Sequence, residues 1–229
     1  MKRFVLAALL GLAAAGSASV SAWAQAQVYD PVPPRGSAYL RLVNVLPGEV
    51  TARPDFLPQQ RLGSAPAQRV MAFTAVENVA NRQLRVEFQE GTRRGQASFR
   101  IEPGSFVTVL LHLGADGALA ATPIVDSADF NRARARLAFY NAMPDCPAAT
   151  LTIHPSGPAV FEGVSSLATR ARSVNPVAAE IRGQCGERAS PPFALEGLEA
   201  GGMYSIWLIS GGAQPAAFLT RDTTAIWRP

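Results

Sequence analysis

Leu40-Arg41-Leu42-Val43-Asn44-Val45-Leu46-Pro47 decides how the chain is read, because it returns as Leu137-Ala138-Phe139-Tyr140-Asn141-Ala142-Met143-Pro144. Each copy is a short apolar run that stops at Asn and Pro, the punctuation of a strand entering a loop. Further on, Pro103-Gly104-Ser105-Phe106-Val107 answers Gly201-Gly202-Met203-Tyr204-Ser205. Each copy then closes with a hydrophobic strand, a glycine-rich turn, a second strand and an aspartate, Asp126 or Asp222. A separation close to 97 residues between matching positions points to duplication of one β domain.

Apolar residues alternate within each copy, the period of a half-buried strand. Leu84, Val86 and Phe88 oppose Arg85, Glu87 and Gln89, and Phe99 and Ile101 oppose Ser98 and Arg100. In the second copy Leu151 and Ile153 oppose Thr152 and His154, while Val177, Ala179 and Ile181 oppose Glu180 and Arg182. Ser105 to Leu113 and Met203 to Ile209 are apolar on both sides, which marks central strands covered on both faces. Short strands with Gly/Pro turns predict an all-β chain of two tandem β-sandwich domains. Gly48 to Asn78, rich in proline, shows no sustained period and reads as a long loop with one or two edge strands. Ser127 to Arg136 is polar and fits an interdomain connector, with room for a short helical turn.

At the start, Lys2 and Arg3 precede an apolar run from Phe4 to Ala15. Ala22-x-Ala24 and Ala24-x-Ala26 both suit cleavage after small residues, so residues 1–26 read as a signal peptide. The run is too short and alanine-rich for a stable membrane anchor, and the expected product is exported to a periplasm. Loss of Lys2 and Arg3, with no acid removed, takes the formal charge from +4 to +2. A balance that small does not suggest nucleic acid as a partner. Lys2 is the only lysine, so every other basic side chain except histidine is arginine. Codon usage accounts for that bias; the functional alternative is that guanidinium forks bind carboxylates bidentately, which suits a polyuronate chain.

Ahead of the first strand, Pro31, Pro33 and Pro34 keep the backbone extended and Arg35-Gly36-Ser37 supplies a bend. Tyr29, Asp30, Pro31, Pro34, Arg35, Gly36, Ser37 and the strand through Arg41 to Asn44 resemble the opening of the alginate biosynthesis protein AlgF family, which serves alginate O-acetylation. Val174-Asn175-Pro176-Val177 resembles the Asn-Pro-Val that opens a late strand in the same family. The resemblance implies a division of labour. A membrane-bound O-acyltransferase brings acetyl groups across the inner membrane, a periplasmic acetyltransferase places them on the polymer, and a protein similar to AlgF bridges or supports the two. Tyr29 to Ser37 is the candidate partner-binding arm, since Tyr and Arg are favoured at interfaces and an extended arm costs less entropy to order. The alternative is that the arm packs on its own first domain.

Cys146 and Cys185 lie in the second domain, and two cysteines of one exported domain are expected to pair. The two histidines offer little for catalysis. His112 sits inside a central strand and reads as a hydrogen-bonded core residue; His154, beside Pro155 and Gly157, reads as exposed at a strand end. There is neither a Gly-x-Ser-x-Gly elbow nor a local metal-ligand set, and Asp126-Ser127 reads as a turn. Gly201-Gly202 and Gly211-Gly212 read as hairpin turns rather than a phosphate loop. Glu87/Glu90, Asp126/Asp129 and Glu196/Glu199 read as solvated pairs. Trp207 is expected in the core, and Trp227 is open to either core or sugar stacking.

The expected organisation is a signal peptide (1–26), an N-terminal sandwich with its proline-rich lead-in (27–126), a linker (127–135) and a C-terminal sandwich (136–229). The expected function is that of a non-catalytic periplasmic adaptor for exopolysaccharide O-acetylation, on an alginate-like polymer or cellulose, with no cofactor. The rival is a carbohydrate-binding β-sandwich that holds polysaccharide itself.

Overall fold

The computed structural model describes residues 33–127 and 130–225. Tyr29, Asp30, Pro31, the signal segment and Trp227 lie outside the described residues. The first repeat contains β1 (Ala38–Asn44), β2 (Val50–Pro54), β3 (Gln60–Leu62), the single-turn α1 (Pro66–Arg69), β4 (Thr74–Val76), β5 (Leu84–Glu90), β6 (Arg93–Phe99), β7 (Phe106–Leu113) and β8 (Leu119–Asp126). The second contains β9 (Ala135–Asn141), β10 (Ala149–Ile153), β11 (Ala159–Val164), β12 (Ala168–Val174), β13 (Ala179–Cys185), β14 (Arg188–Ala189), β15 (Phe193–Leu195), β16 (Met203–Gly211) and β17 (Gln214–Arg221).

Each repeat makes an inner and an outer sheet. The inner sheets run β4-β1-β7-β8 and β12-β9-β16-β17, and the outer ones β3-β2-β5-β6 and β11-β10-β13-β14, with β15 also on β13. In both inner sheets the repeated strand pairs in parallel with the doubly apolar one: Arg41 faces Thr108, and Ala138 faces Ser205. This confirms the duplication and corrects part of its alignment. Pairing makes Phe106 equivalent to Met203, one residue away from the match to Tyr204 that similar sequence suggests, and a one-residue slip would turn every side chain to the other face.

Alternation sorts the side chains of the inner sheets between two cores. Leu40, Leu42, Val107, Val109 and Leu111 point at Val50, Leu84, Val86 and Phe88 of the outer sheet, and Leu137, Phe139, Ile206 and Leu208 do the same with Leu151 and Ile181. The opposite faces meet each other. Val43, Leu110 and Ile124 pack against Ala138, Tyr140, Trp207 and Phe218, so the two sandwiches share a third core and stack as four layers. That sharing is why β7 and β16 are apolar on both sides.

Both repeated asparagines have a defined task. Asn44 Nδ2 donates to the carbonyls of Gly48 (2.8 Å) and Gly63 (2.9 Å), and its Oδ1 accepts from Leu46 N. Asn141 does the equivalent with the carbonyls of Cys146 (2.8 Å) and Val164 (2.9 Å) and with Met143 N. Each amide fastens the exit of an inner strand to the loops around it.

Several expectations change. Gly48 to Asn78 holds three strands and a helical turn; β2 is internal, between β3 and β5, and Pro54 is tolerated because it closes the strand. Val177 is exposed in the turn between β12 and β13 rather than in a strand. Gly211-Gly212 does join a hairpin, β16 to β17, whereas Gly201-Gly202 belongs to the turn that crosses from β15 to the inner sheet. Beyond β17 the chain leaves the second repeat: Phe73 N donates to Thr223 O (2.8 Å) and Ala225 N to Phe73 O (2.7 Å), which ties the C-terminal segment to the first.

Candidate functional site

The described part of the lead-in packs on its own sandwich. Ser37 N donates to Pro34 O (3.0 Å) across a turn in which Gly36 takes φ +76°, a conformation that glycine adopts without strain. Pro33 and Ser37 are buried, and Ser37 O and Gly36 O accept from Gly104 N and Val79 N. Arg35 is exposed at the tip of the turn.

The densest polar constellation lies in the third core, and it fills the seam between the sandwiches. Arg41, 1% exposed, projects from β1 away from the first core. Its Nη1 donates to Asp222 (2.7 Å), Nη2 to Tyr140 Oη (3.0 Å) and Ser205 Oγ (3.1 Å), and Nε to Thr108 Oγ1 (2.9 Å). Tyr140 Oη and Thr108 Oγ1 both donate to Asp126. The guanidinium also lies over Phe73 and Trp207, 4.2 and 5.0 Å from the ring centroids, while Trp207 stacks on Tyr140. The two copies thus contribute equivalent hydroxyl–carboxylate pairs, Thr108 with Asp126 and Ser205 with Asp222, around one arginine.

Electrostatics hold this cluster together as a splice across the seam. Burial alone would lower the Arg41 pKa, but the charges of Asp222, Tyr140 and Asp126 outweigh it and raise the pKa above the usual arginine value. Burial raises the Asp126 carboxyl, opposed by Arg41 and by the Thr108 and Tyr140 hydrogen bonds; burial and the Asp126 charge raise the Tyr140 phenol. Arg136, 3% exposed, lies 4.0 Å from Asp222, so two arginines balance two aspartates. Asp126 is therefore part of a buried network, which corrects its reading as a turn residue in a solvated pair. Glu90 is likewise buried, accepting from Gly48 N (2.7 Å) and paired with Arg93.

His112 is buried, with Nδ1 on Leu113 O and Nε2 on Thr122 Oγ1, each at 2.8 Å, and burial lowers its pKa. His154 is half-buried just past β10, 4.0 Å from Glu180. Trp207 is fully buried, its Nε1 donating to Thr220 Oγ1 (2.8 Å). Cys146 and Cys185 form the expected disulfide, with Cα atoms 5.7 Å apart. Among the described residues no three His, Cys, Asp or Glu side chains are placed to hold a metal ion.

The open surface with most structure is the outer face of β3-β2-β5-β6. Two adjoining grooves of 410 and 820 Å³ share Thr51, Arg53 and Gln89. Register sets the side chains in rows across the strands. One row is Arg61, Thr51, Gln89 and Arg94; the next is Arg53, Glu87 and Gln96, with Gln59 bonded to Arg53 at 3.0 Å. The floor is closed beneath Gly95, where a Cβ would fall 2.6 Å from Leu119 Cβ and 2.8 Å from Phe88 Cζ. Alternation marked these residues as a solvent face; what it could not show is that the strands bring four separate segments into rows.

Fold and surface together define a tandem β-sandwich protein with a fused centre and an open polar outer sheet. No family model and no curated protein matches the chain. Among solved structures, it is similar to CBMbc, a family CBM26 module of Eubacterium rectale Amy13K solved in complex with maltoheptaose. Identity is 8%, the match covers 80% of this chain and 96% of that one, and the TM-score is 0.26. At that score the likeness carries no argument about ligand, and function has to come from the chain's own residues.

Proposed function

We propose that the protein is a non-catalytic accessory protein of exopolysaccharide O-acetylation, exported to the periplasm, where it bridges a membrane-bound O-acyltransferase and a periplasmic acetyltransferase. The observation that carries the reading is the ordered resemblance from Tyr29 through Pro31, Pro34, Arg35, Gly36 and Ser37 to a strand ending at Asn44. Its described positions have physical reasons to recur together: Gly36 makes the left-handed turn and Asn44 clamps the loops beyond the strand. A scaffold of two fused sandwiches suits the role, because it presents exposed surfaces at fixed separation. Tyr29 and Arg35 are the contact residues on this reading, with Arg35 exposed where the arm meets the first sandwich.

The test is deletion of the gene followed by measurement of polymer yield and ester acetyl on the secreted polysaccharide. Polymer made at normal yield without its acetyl groups is the expected result, restored by the wild-type gene and restored less well by the Tyr29→Ala/Arg35→Ala variant. Unchanged acetyl content sinks the proposal. A second reading, direct binding of polysaccharide, is favoured by the rows of Thr, Gln and Arg side chains lining the grooves of the outer sheet.

A further inference from the structure

The outer face of β3-β2-β5-β6 has a chemical pattern specific enough to name a class of ligand. Arg61 and Arg94 stand at the two ends of one cross-strand row, with Thr51 and Gln89 between them. Three strand spacings put the two arginine Cα atoms about 14 Å apart. Both side chains are exposed, and no ion pair among the described residues engages either. The middle of the row is different: hydroxyl and amide groups that both donate and accept, while the adjoining row sets Arg53 opposite Glu87.

We infer that this face binds an extended acidic glycan, whose carboxylates reach Arg61 and Arg94 and whose hydroxyls meet Thr51, Gln89, Gln96 and Glu87. The inference deepens the second reading above and rests on it. Guanidinium groups at the ends, with no cation directly between them in the row, fit charges that recur at intervals, not a dense polyanion, which Glu87 would repel. An acidic peptide is the poorer fit. Peptides that bind sheets add to a free edge, whereas β2 and β5, which form the middle of this face, have both edges paired. Phe88, the aromatic side chain lining the groove, is buried in its floor, so the interaction is carried by charge and hydrogen bonds and weakens as salt rises.

The experiment titrates the full-length exported protein with oligogalacturonate, with a neutral cello-oligosaccharide and poly-glutamate of similar length as controls, at low and high salt. Saturable binding of oligogalacturonate at least tenfold tighter than either control is expected, weaker in high salt. The Arg61→Gln/Arg94→Gln variant should lose at least tenfold in affinity with its melting temperature unchanged, since both side chains are exposed. Equal binding of the neutral sugar, equal binding of poly-glutamate, no binding at all, or an unaffected variant each overturns the inference. The outcome stands apart from the deletion phenotype. Acetyl lost from the polymer with no glycan bound in solution removes this inference alone, and glycan bound with acetyl unchanged removes the adaptor alone.

Discussion

Arg41 occupies a strand position that alternation assigns to the side away from the first core, which on a single sandwich would be water. Here that side is the seam, and the guanidinium bonds Asp222, Tyr140, Ser205 and Thr108 at once. Its counterpart in the second repeat is Ala138, and both lie in the same seam. Periodicity reports which face a side chain takes and says nothing about what covers that face, so the network could not be read from Arg41. A trace of it was legible in the aspartates, Asp126 and Asp222, with which each repeat closes. Removing one partner of a buried, hydrogen-bonded ion pair strands the other charge. The Arg41→Ala protein should therefore lose about 3–5 kcal/mol of unfolding free energy, read from urea denaturation. A loss below about 1 kcal/mol, the range of exposed pairs, would show that water replaces the guanidinium without penalty.

Among the elements, those with a clean period of two were legible, and those whose shape comes from neighbours were not. β5 and β13 show alternation because one face is buried and the other open. β2, β3 and β4 are three to five residues long, lie among prolines, and exist because β5 offers an edge to β2, β2 in turn to β3, and β1 to β4. The disulfide was legible from the expected compartment and the cysteine count alone. It joins the loop before β10 to the end of β13, two strands already paired at Ala149 and Cys185. Opening it frees a loop spanning 39 residues of sequence separation. The Cys146→Ala/Cys185→Ala protein should be less stable by about 3–4 kcal/mol in the chain-entropy account, with the slope of the urea transition increased as the unfolded chain expands. An unchanged midpoint would mean that the β10–β13 pairing already restricts the unfolded chain as much as the bridge does.

At the level of the whole molecule, two sandwiches joined by a linker would be expected to unfold separately, and the third core argues against that. Trp207 and Tyr140 of the second repeat are fully buried against Val43, Leu110 and Ile124 of the first, and burial of each large side chain is worth about 1.5–3 kcal/mol. The C-terminal segment adds main-chain hydrogen bonds, with Phe73 N donating to Thr223 O and Ala225 N to Phe73 O, so the last strand's continuation depends on the first repeat. Two-sided apolarity in β7 and β16 was visible in the sequence, and it already required a covering layer that neither sandwich could supply alone. Unfolding one repeat would expose the seam of the other and strand Arg41 or its aspartates, a penalty comparable with the 5–15 kcal/mol stability of an ordinary domain. Scanning calorimetry of the protein should accordingly show one transition, with calorimetric and van't Hoff enthalpies equal. The Trp207→Ala protein, which opens a cavity in the seam at a cost of about 3–5 kcal/mol, should melt at a lower temperature and give two resolved transitions as the halves uncouple. Two transitions already present in the wild-type protein would mean that the seam is a contact between independent domains, and the fixed geometry proposed for the adaptor would go with it.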